Sequence, residues 1–149
     1  MKKIIYLFGF IAFTLLVACE NEVERISLPE PSFSATGQWE ITAYIDTVSV
    51  FGPFRVITFK DNSSNNDSIT IQDSEMKFWN FSVKALLNEK DGTFQTRQSN
   101  CEQCEEGIGI KIANGKIITP DSISFEIQFE DDITPYCNTY ILKGHRTIN

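Results

Sequence analysis

The chain has 149 residues, of which 42% are hydrophobic, and it carries a formal net charge of −7 at pH 7. This length is enough for one domain with a single hydrophobic core. The excess of acidic side chains repels phosphate groups, so the composition excludes a nucleic-acid-binding protein and argues against direct attraction of the folded body to anionic lipid headgroups.

The first 19 residues have the features of a bacterial lipoprotein signal. Lys2 and Lys3 precede an apolar run, Ile4 to Val17, that is too short to span a membrane comfortably. The run leads into Leu16-Val17-Ala18-Cys19, which resembles a lipobox, the motif at which the signal is removed and the cysteine is acylated. Two or three acyl chains, palmitate among them, would anchor the protein durably, because each buried methylene contributes about 0.8 kcal/mol. The alternative is an ordinary secretory signal or an uncleaved anchor.

An acidic, proline-containing stretch follows Cys19. It shows no sustained hydrophobic period, as is typical of a flexible tether, and it includes Glu20, Glu22, Glu24, Pro29 and Pro31. We therefore expect a signal peptide (1–18), a lipidated cysteine with its tether (19–35) and one folded domain (36–149). The lipid would hold the domain in the cell envelope, and we expect the outer membrane, on its periplasmic or its surface face.

The folded domain is predicted to be all-β. From Cys19 onward the chain has sixteen Ile but only four Leu, and β-branched side chains favour strands. Apolar and polar residues alternate with a period of two in several segments, most clearly over 122–130. The patterns predict eight or nine strands, at about 38–47, 53–60, 68–73, 76–88, 93–100, 107–113, 116–119, 122–130 and 136–145.

Turn signals separate these segments. Asp91-Gly92 and Asn114-Gly115 are pairs that form tight hairpin turns, and short connections favour antiparallel neighbours in chain order. An antiparallel sheet of about eight strands leaves two unpaired edges unless it closes. Closure gives an up-and-down barrel, and a β-sandwich is the alternative that periodicity alone does not separate from it.

Two residues at the ends of the domain favour the barrel. Gly37-Gln38-Trp39 opens the first predicted strand and Gly144-His145-Arg146 closes the last, and these two strands are neighbours in a closed meander. An Arg146 guanidinium over the Trp39 indole would contribute roughly 0.5–2 kcal/mol and cap the barrel against water. This pairing of a Gly-x-Trp with a late Arg resembles the closed end of lipocalins.

A wider set of segments resembles one family of secreted bacterial lipoproteins, the lipid-binding putative hydrolases with a calycin-like (lipocalin-like) fold. In chain order the matching segments are Gly37-Gln38-Trp39, Asn66-Asp67-Ser68-Ile69, residues 78–84, Asn114-Gly115-Lys116, residues 124–132 and Gly144-His145-Arg146. The resemblance implies a lipocalin-like barrel and a lipid or other hydrophobic small molecule as partner. The chain departs from the family pattern at its final residues, 147–149, and in the pair Cys101 and Cys104.

The residues themselves offer little support for catalysis. The chain has one histidine, His145, so it cannot form a two-histidine zinc-protease motif, and it has no Gly-x-Ser-x-Gly. A Ser-His-Asp triad could use only His145. We therefore expect no catalytic residue, no metal and no cofactor, and we predict that Asp131-Asp132 is a turn rather than a Ca²⁺ site.

Three cysteines remain if Cys19 is acylated. Cys101, Cys104 and Cys137 would form a Cys3His set with the histidine in a reducing compartment, but thiols tend to oxidise beyond the inner membrane. We expect Cys137 to form a disulfide with Cys104 or with Cys101, because Cys137 starts the last predicted strand while the other two lie on a hairpin loop.

Three functions remain open. The first is a membrane-tethered, non-catalytic envelope lipoprotein that binds a lipid or other hydrophobic small molecule, with Phe81, Phe125 and Phe129 lining its pocket. The second is a solid-cored β adhesion or assembly module for a protein or glycan, because the same rings could fill a small barrel completely. The third, which the residues support least, is an esterase that uses His145.

Overall fold

The computed structural model describes residues 34–60, 67–97 and 107–147. Within these ranges the chain forms eight strands: β1 (Gly37–Ile45), β2 (Val48–Phe59), β3 (Ser68–Asp73), β4 (Ser82–Asn88), β5 (Thr93–Gln95), β6 (Ile110–Thr119), β7 (Ser122–Phe129) and β8 (Tyr140–Arg146). Each strand pairs antiparallel with the next, and β8 pairs with β1, so the sheet closes into an up-and-down barrel. This confirms the predicted all-β class and decides between the barrel and the sandwich.

The period-two pattern of the sequence fills the barrel. In β7 the alternate residues Ile123, Phe125, Ile127 and Phe129 are buried, while the residues between them are partly exposed. Side chains of a strand point alternately to its two faces, so one set enters the interior and the other faces solvent. Every strand contributes to the resulting apolar core, which includes the large buried side chains Trp39, Phe54 and Phe81.

The barrel has two different ends. Among the connections that the structure describes in full, β4–β5 and β6–β7 lie at the closed end, with the start of β1 and the end of β8. The connections β1–β2 (residues 46–47), β3–β4 (74–81) and β7–β8 (130–139) lie at the open end. Alternate connections share an end because successive strands run in opposite directions.

Arg146 and Trp39 meet at the closed end. They are cross-strand partners in the β1–β8 pair, and the guanidinium carbon of Arg146 lies 4.3 Å from the centroid of the Trp39 ring. The guanidinium also donates hydrogen bonds to three backbone carbonyls, at 2.8 Å to Ser34, 2.8 Å to Thr36 and 2.9 Å to Pro120. One side chain therefore joins the segment before β1, the β6–β7 connection and the last strand.

The structure corrects the prediction of a hairpin at Asn114-Gly115. Both residues lie inside the continuous strand β6, whose register against β7 shifts at this point. Asn114 has a positive φ, so it has the predicted turn conformation, but the result is a bulge and not a chain reversal. Gly115 pairs with Phe94, and a Cβ on Gly115 would lie 2.4 Å from the Phe94 ring. The predicted strands 107–113 and 116–119 are therefore one strand.

The predicted strand 76–88 is shorter in the structure. β4 begins only at Ser82, and the residues before it form the β3–β4 connection. Met76, Trp79 and Asn80 have φ values of 54°, 56° and 44°, a left-handed conformation that is incompatible with a strand. The connection consequently leaves the barrel wall and lies at the open end.

The predicted signal peptide, Cys19 and residues 20–33 of the predicted tether lie outside the described residues, so cleavage and acylation stay predictions. In the ranges that the structure describes, no helix is long and apolar enough to cross a membrane.

Candidate functional site

A depression of about 320 Å³ occupies the open end of the barrel. Three parts of the chain form its wall: the β1–β2 hairpin, the β3–β4 connection and the start of β8. Apart from one lysine, the residues that line the depression are apolar or aromatic. They are Ile45, Val50, Phe51, Lys77, Phe78, Trp79 and Tyr140. Small-molecule sites are concave, mostly apolar and about 300–1,000 Å³ in volume, so this depression is the candidate binding site.

A buried carboxylate shapes the β3–β4 connection that forms one wall. Asp73 ends β3 and is fully buried, and its carboxylate accepts hydrogen bonds from the backbone N–H groups of Glu75 at 3.1 Å and Phe78 at 2.5 Å. Aspartate favours turns because its side chain can replace a backbone hydrogen-bond acceptor. Asp73 therefore fixes the direction in which Phe78 leaves the strand.

Phe78 and Trp79 form the floor of the depression. The Phe78 side chain is buried in the barrel mouth, with its ring centroid 5.1 Å from that of Phe54. The Trp79 ring stacks on Phe129 at a centroid distance of 4.6 Å and an interplanar angle of 5°, and its Nε1 donates a hydrogen bond to Asp131 at 3.0 Å. These contacts hold the β3–β4 connection against the β7–β8 side of the barrel.

Tyr140 completes the wall and carries a polar group into it. Its ring lies 5.5 Å from Phe78 and 5.1 Å from Trp79, and its hydroxyl donates a hydrogen bond to Asp132 at 3.1 Å. Asp132 also accepts a hydrogen bond from the Asn138 amide at 2.9 Å. Burial, followed by the hydrogen bond to Asp132 and the charge of that residue, raises the pKa of Tyr140 above its usual value. The phenol therefore remains a neutral donor that orients the ring.

The three phenylalanines that the sequence predicts as pocket lining lie deeper than the depression. Phe81, Phe125 and Phe129 are all buried in the interior core. Phe125 contacts Phe94, with a centroid distance of 5.7 Å, and Phe81 contacts Phe129 at 6.0 Å. Phe129 supports the site from below through its stacking on Trp79.

Sequence reasoning included Phe78 among the candidates for the barrel interior but missed the other aromatic residues of the wall, Phe51, Trp79 and Tyr140. The sequence did contain one signal, the adjacent pair Phe78-Trp79, because the side chains of two neighbouring residues in a regular strand cannot both point into the barrel. In a regular strand one of these two rings would face solvent, whereas the structure places both in the lining of the depression.

His145 lies far from the depression, at the closed end of the wall. Its side chain is 68% exposed, and its Nε2 is 3.7 Å from a carboxylate oxygen of Glu40. Its cross-strand neighbour on the other side is Ser122. Glu40, His145 and Ser122 therefore lie side by side on three adjacent strands, and they are the three residue types of a hydrolytic triad. The Ser122 hydroxyl, however, shares a hydrogen bond of 2.7 Å with Thr119. The side chains of His145 and Glu40 both lie on the outer, solvent-facing surface of the barrel wall.

The cysteines and carboxylates were also candidates for chemistry. Cys137 is a free, exposed thiol in the structure, whereas Cys101 and Cys104 lie outside the described residues, so the disulfide stays a prediction. Among residues 34–60, 67–97 and 107–147, no group of three or more His, Cys, Asp or Glu side chains is placed to hold a metal ion. Asp131 and Asp132 accept hydrogen bonds from Trp79 and Tyr140.

The depression at the mouth of the barrel has the apolar, concave lining that is typical of sites for small molecules. The comparison with protein families agrees with this geometry, since a family model described as "lipid-binding putative hydrolase" matches residues 29–148. The chain belongs to this family. The match to the lipid-binding family includes every strand of the barrel and the whole lining of the depression. No curated protein matches the chain significantly.

Proposed function

We propose that the protein binds a lipid or other hydrophobic small molecule in the depression at the open end of the barrel. The observation that carries this proposal is the position of an aromatic-lined depression of about 320 Å³ at the mouth of a closed barrel, in a chain that belongs to a lipid-binding family. An apolar ligand in this site would exchange water for contacts with aromatic rings, which is the main driving force for such binding.

The residues that line the depression would orient a bound ligand. Lys77 is the charged residue of the wall, and its amine pairs with Glu75 at 3.0 Å. This hydrogen bond lowers the pKa of Glu75, so the carboxylate is charged at neutral pH. A polar end of the ligand would lie beside this pair, and its apolar end against Phe51 and Trp79.

The binding test uses two phenylalanines of the same strand. Phe51 lies in the wall of the depression and is 40% exposed, whereas Phe59 lies at the closed end and is 41% exposed. We expect Phe51→Ala to weaken binding of a fluorescent fatty acid about tenfold, a loss of about 1.4 kcal/mol that corresponds to part of the burial energy of a phenyl ring. Phe59→Ala should leave the titration curve unchanged. Equal affinities for both variants would contradict the proposed site.

We also propose that the binding is not accompanied by hydrolysis. Support comes from the location of His145, which is solvated and far from the depression. A chromogenic ester assay of the purified protein and of the His145→Ala variant should give the same background rate. A rate that falls with this substitution would assign a catalytic function to His145.

We propose in addition that an acylated Cys19 tethers the protein in the cell envelope, at the outer membrane. Support comes from the lysines, the apolar run and the lipobox-like sequence before this cysteine. Mass spectrometry of the membrane-extracted protein should give the chain from Cys19 onward with added acyl groups. The mass of an unprocessed and unmodified chain would contradict this proposal.

The filled interior favours a second candidate function. Because Phe81, Phe125 and Phe129 pack together in the core, the barrel could serve as a rigid adhesion or assembly module that recognises a protein or glycan on its outer surface. Crosslinking in membranes would then capture a specific partner, while the fluorescent fatty acid would not bind to the protein.

A further inference from the structure

Exposed apolar side chains are concentrated around the open end of the barrel. In the part of the chain that the structure describes, eight large hydrophobic side chains are exposed. Three of them lie towards the closed end, namely Phe59, Leu86 and Ile118. The other five surround the open end and form what we term the apolar rim: Val48, Val50, Phe51, Met76 and Ile133.

The apolar rim is contributed by three connections that contact one another. The β1–β2 hairpin meets the β3–β4 connection through the rings of Phe51 and Phe78, whose centroids are 5.5 Å apart. The β3–β4 connection meets the β7–β8 connection through the hydrogen bond from Trp79 to Asp131. Ile133, in the third connection, is 98% exposed. These contacts hold the rim in place around the depression.

We propose that the apolar rim docks on the surface of a lipid bilayer, with the barrel mouth facing the membrane. The proposal rests on the proposed function, because a site for a hydrophobic ligand is best filled directly from the bilayer. Exposed apolar patches of this kind mark interaction surfaces in proteins. Docking would bury the rim side chains among the acyl chains, and the ligand would enter the depression without crossing water.

The length of the chain before the barrel permits this orientation. Ser34 is held at the closed end by its bond to Arg146, so the chain from Cys19 arrives at the end opposite the rim. Residues 20–33 can span at most about 50 Å when extended. A nine-residue strand such as β1 is about 30 Å long, and the barrel is shorter because its strands are tilted. A membrane-anchored Cys19 and the apolar rim can therefore reach the same membrane.

The charges around the rim select the type of membrane. The three connections that contribute to the rim carry one lysine, Lys77, against five carboxylates: Asp46, Glu75, Glu130, Asp131 and Asp132. Lys111, at the start of β6, adds one positive charge beside the third connection, over the ring of Tyr136. These carboxylates repel anionic headgroups at low salt. We therefore expect docking on zwitterionic phosphatidylcholine vesicles to be stronger than on phosphatidylglycerol vesicles, and the difference to shrink as salt is added.

The test compares two isoleucines at opposite ends of the barrel. The full chain is bound to phosphatidylcholine vesicles whose acyl chains carry bromine, which quenches nearby tryptophan. The chain has two tryptophans, Trp79 at the open end and Trp39 at the closed end. We expect quenching of the Trp79 emission and loss of most of this quenching in the Ile133→Asp variant. The matched variant Ile118→Asp, which replaces an exposed isoleucine at the closed end, should be quenched like the wild type.

Three results would overturn the proposal. They are an unquenched wild type, equal quenching of the two variants, and a rim-dependent dimer or protein complex that forms without quenching. The fatty-acid titration separates this proposal from the binding function, because Ile133 is not part of the depression. Quenching without fatty-acid binding would leave docking and remove the ligand site. Fatty-acid binding without quenching would leave the ligand site and remove docking.

Discussion

Replacing Arg146 by lysine would remove most of the hydrogen bonds at the closed end while keeping the positive charge. The guanidinium donates to the carbonyls of Ser34, Thr36 and Pro120 at 2.8–2.9 Å and lies over Trp39. A lysine amine at this position can lie over the ring but cannot reach three carbonyls in three directions. The substitution therefore tests whether this network, beyond the charge itself, stabilises the barrel.

The expected loss follows from these contacts. Hydrogen bonds that are partly open to water each contribute about 0.5–1 kcal/mol, and a partly exposed cation over an indole contributes a similar amount. Arg146 should therefore stabilise the folded state by about 2–4 kcal/mol. Arg146→Lys retains the cation and one hydrogen bond, so we expect it to lower the free energy of unfolding by about 1–2 kcal/mol. Arg146→Met removes the cation and all three hydrogen bonds, so it should lower the free energy of unfolding by nearly the full contribution of Arg146.

Urea unfolding followed by tryptophan fluorescence measures these differences. Arg55→Lys is the matched control, because Arg55 lies on the exposed face of β2 and its charge is retained. We expect this control to differ from the wild type by less than about 0.5 kcal/mol. If Arg146→Lys were as stable as Arg55→Lys, the hydrogen bonds of the closed-end network would contribute nothing to stability beyond the charge of residue 146.

Two further substitutions test the open end. Asp73→Ala leaves the backbone N–H groups of Glu75 and Phe78 without their acceptor, so we expect a loss of about 2–3 kcal/mol in urea unfolding, part of which Asp73→Asn should restore. Tyr140→Phe should change the alkaline stability. Because the pKa of Tyr140 is raised in the folded state, its contribution is complete below about pH 10 and is lost as the pH rises through the folded-state value. The wild type should therefore lose stability more steeply than the Tyr140→Phe variant in unfolding measured at rising pH, and equal slopes would contradict the assignment.

Alternation with a period of two predicted the barrel wall because each strand buries one face and exposes the other. The pattern over 122–130 matches β7, and the segment 68–73 matches β3. The turn at Asp91-Gly92 was also predicted, and the structure has the β4–β5 connection there. These features depend on residues close together in the chain, so a single sequence contains them.

The bulge at Asn114-Gly115 could not be predicted from the chain alone. Two residues with the chemistry of a hairpin turn satisfy the same local preferences in a turn and in a bulge. The choice between the two depends on the partner strands, because β5 passes close to Gly115 and β7 pairs with both halves of β6. Neither contact is visible in the local pattern.

The aromatic depression, too, could not be predicted from the local sequence pattern. Phe78 and Trp79 were expected to belong to a strand, and the buried carboxylate of Asp73 instead turns the chain across the barrel mouth. The stacking of Trp79 on Phe129 joins residues 50 positions apart in the sequence. Phe81, Phe125 and Phe129 are of a residue type that often lines apolar pockets, but closure of the barrel packs their rings into the core.

The sequence by itself determined most of the strand-forming segments, the alternation of inward-facing and outward-facing side chains and the Trp39 and Arg146 pair at the two ends of the domain, because each follows from residue type and local spacing. Only the tertiary structure decided where the depression lies and which side chains surround it. The reason is that closing the sheet sets which connections share an end, and residues distant in the chain then compete for the same interior space.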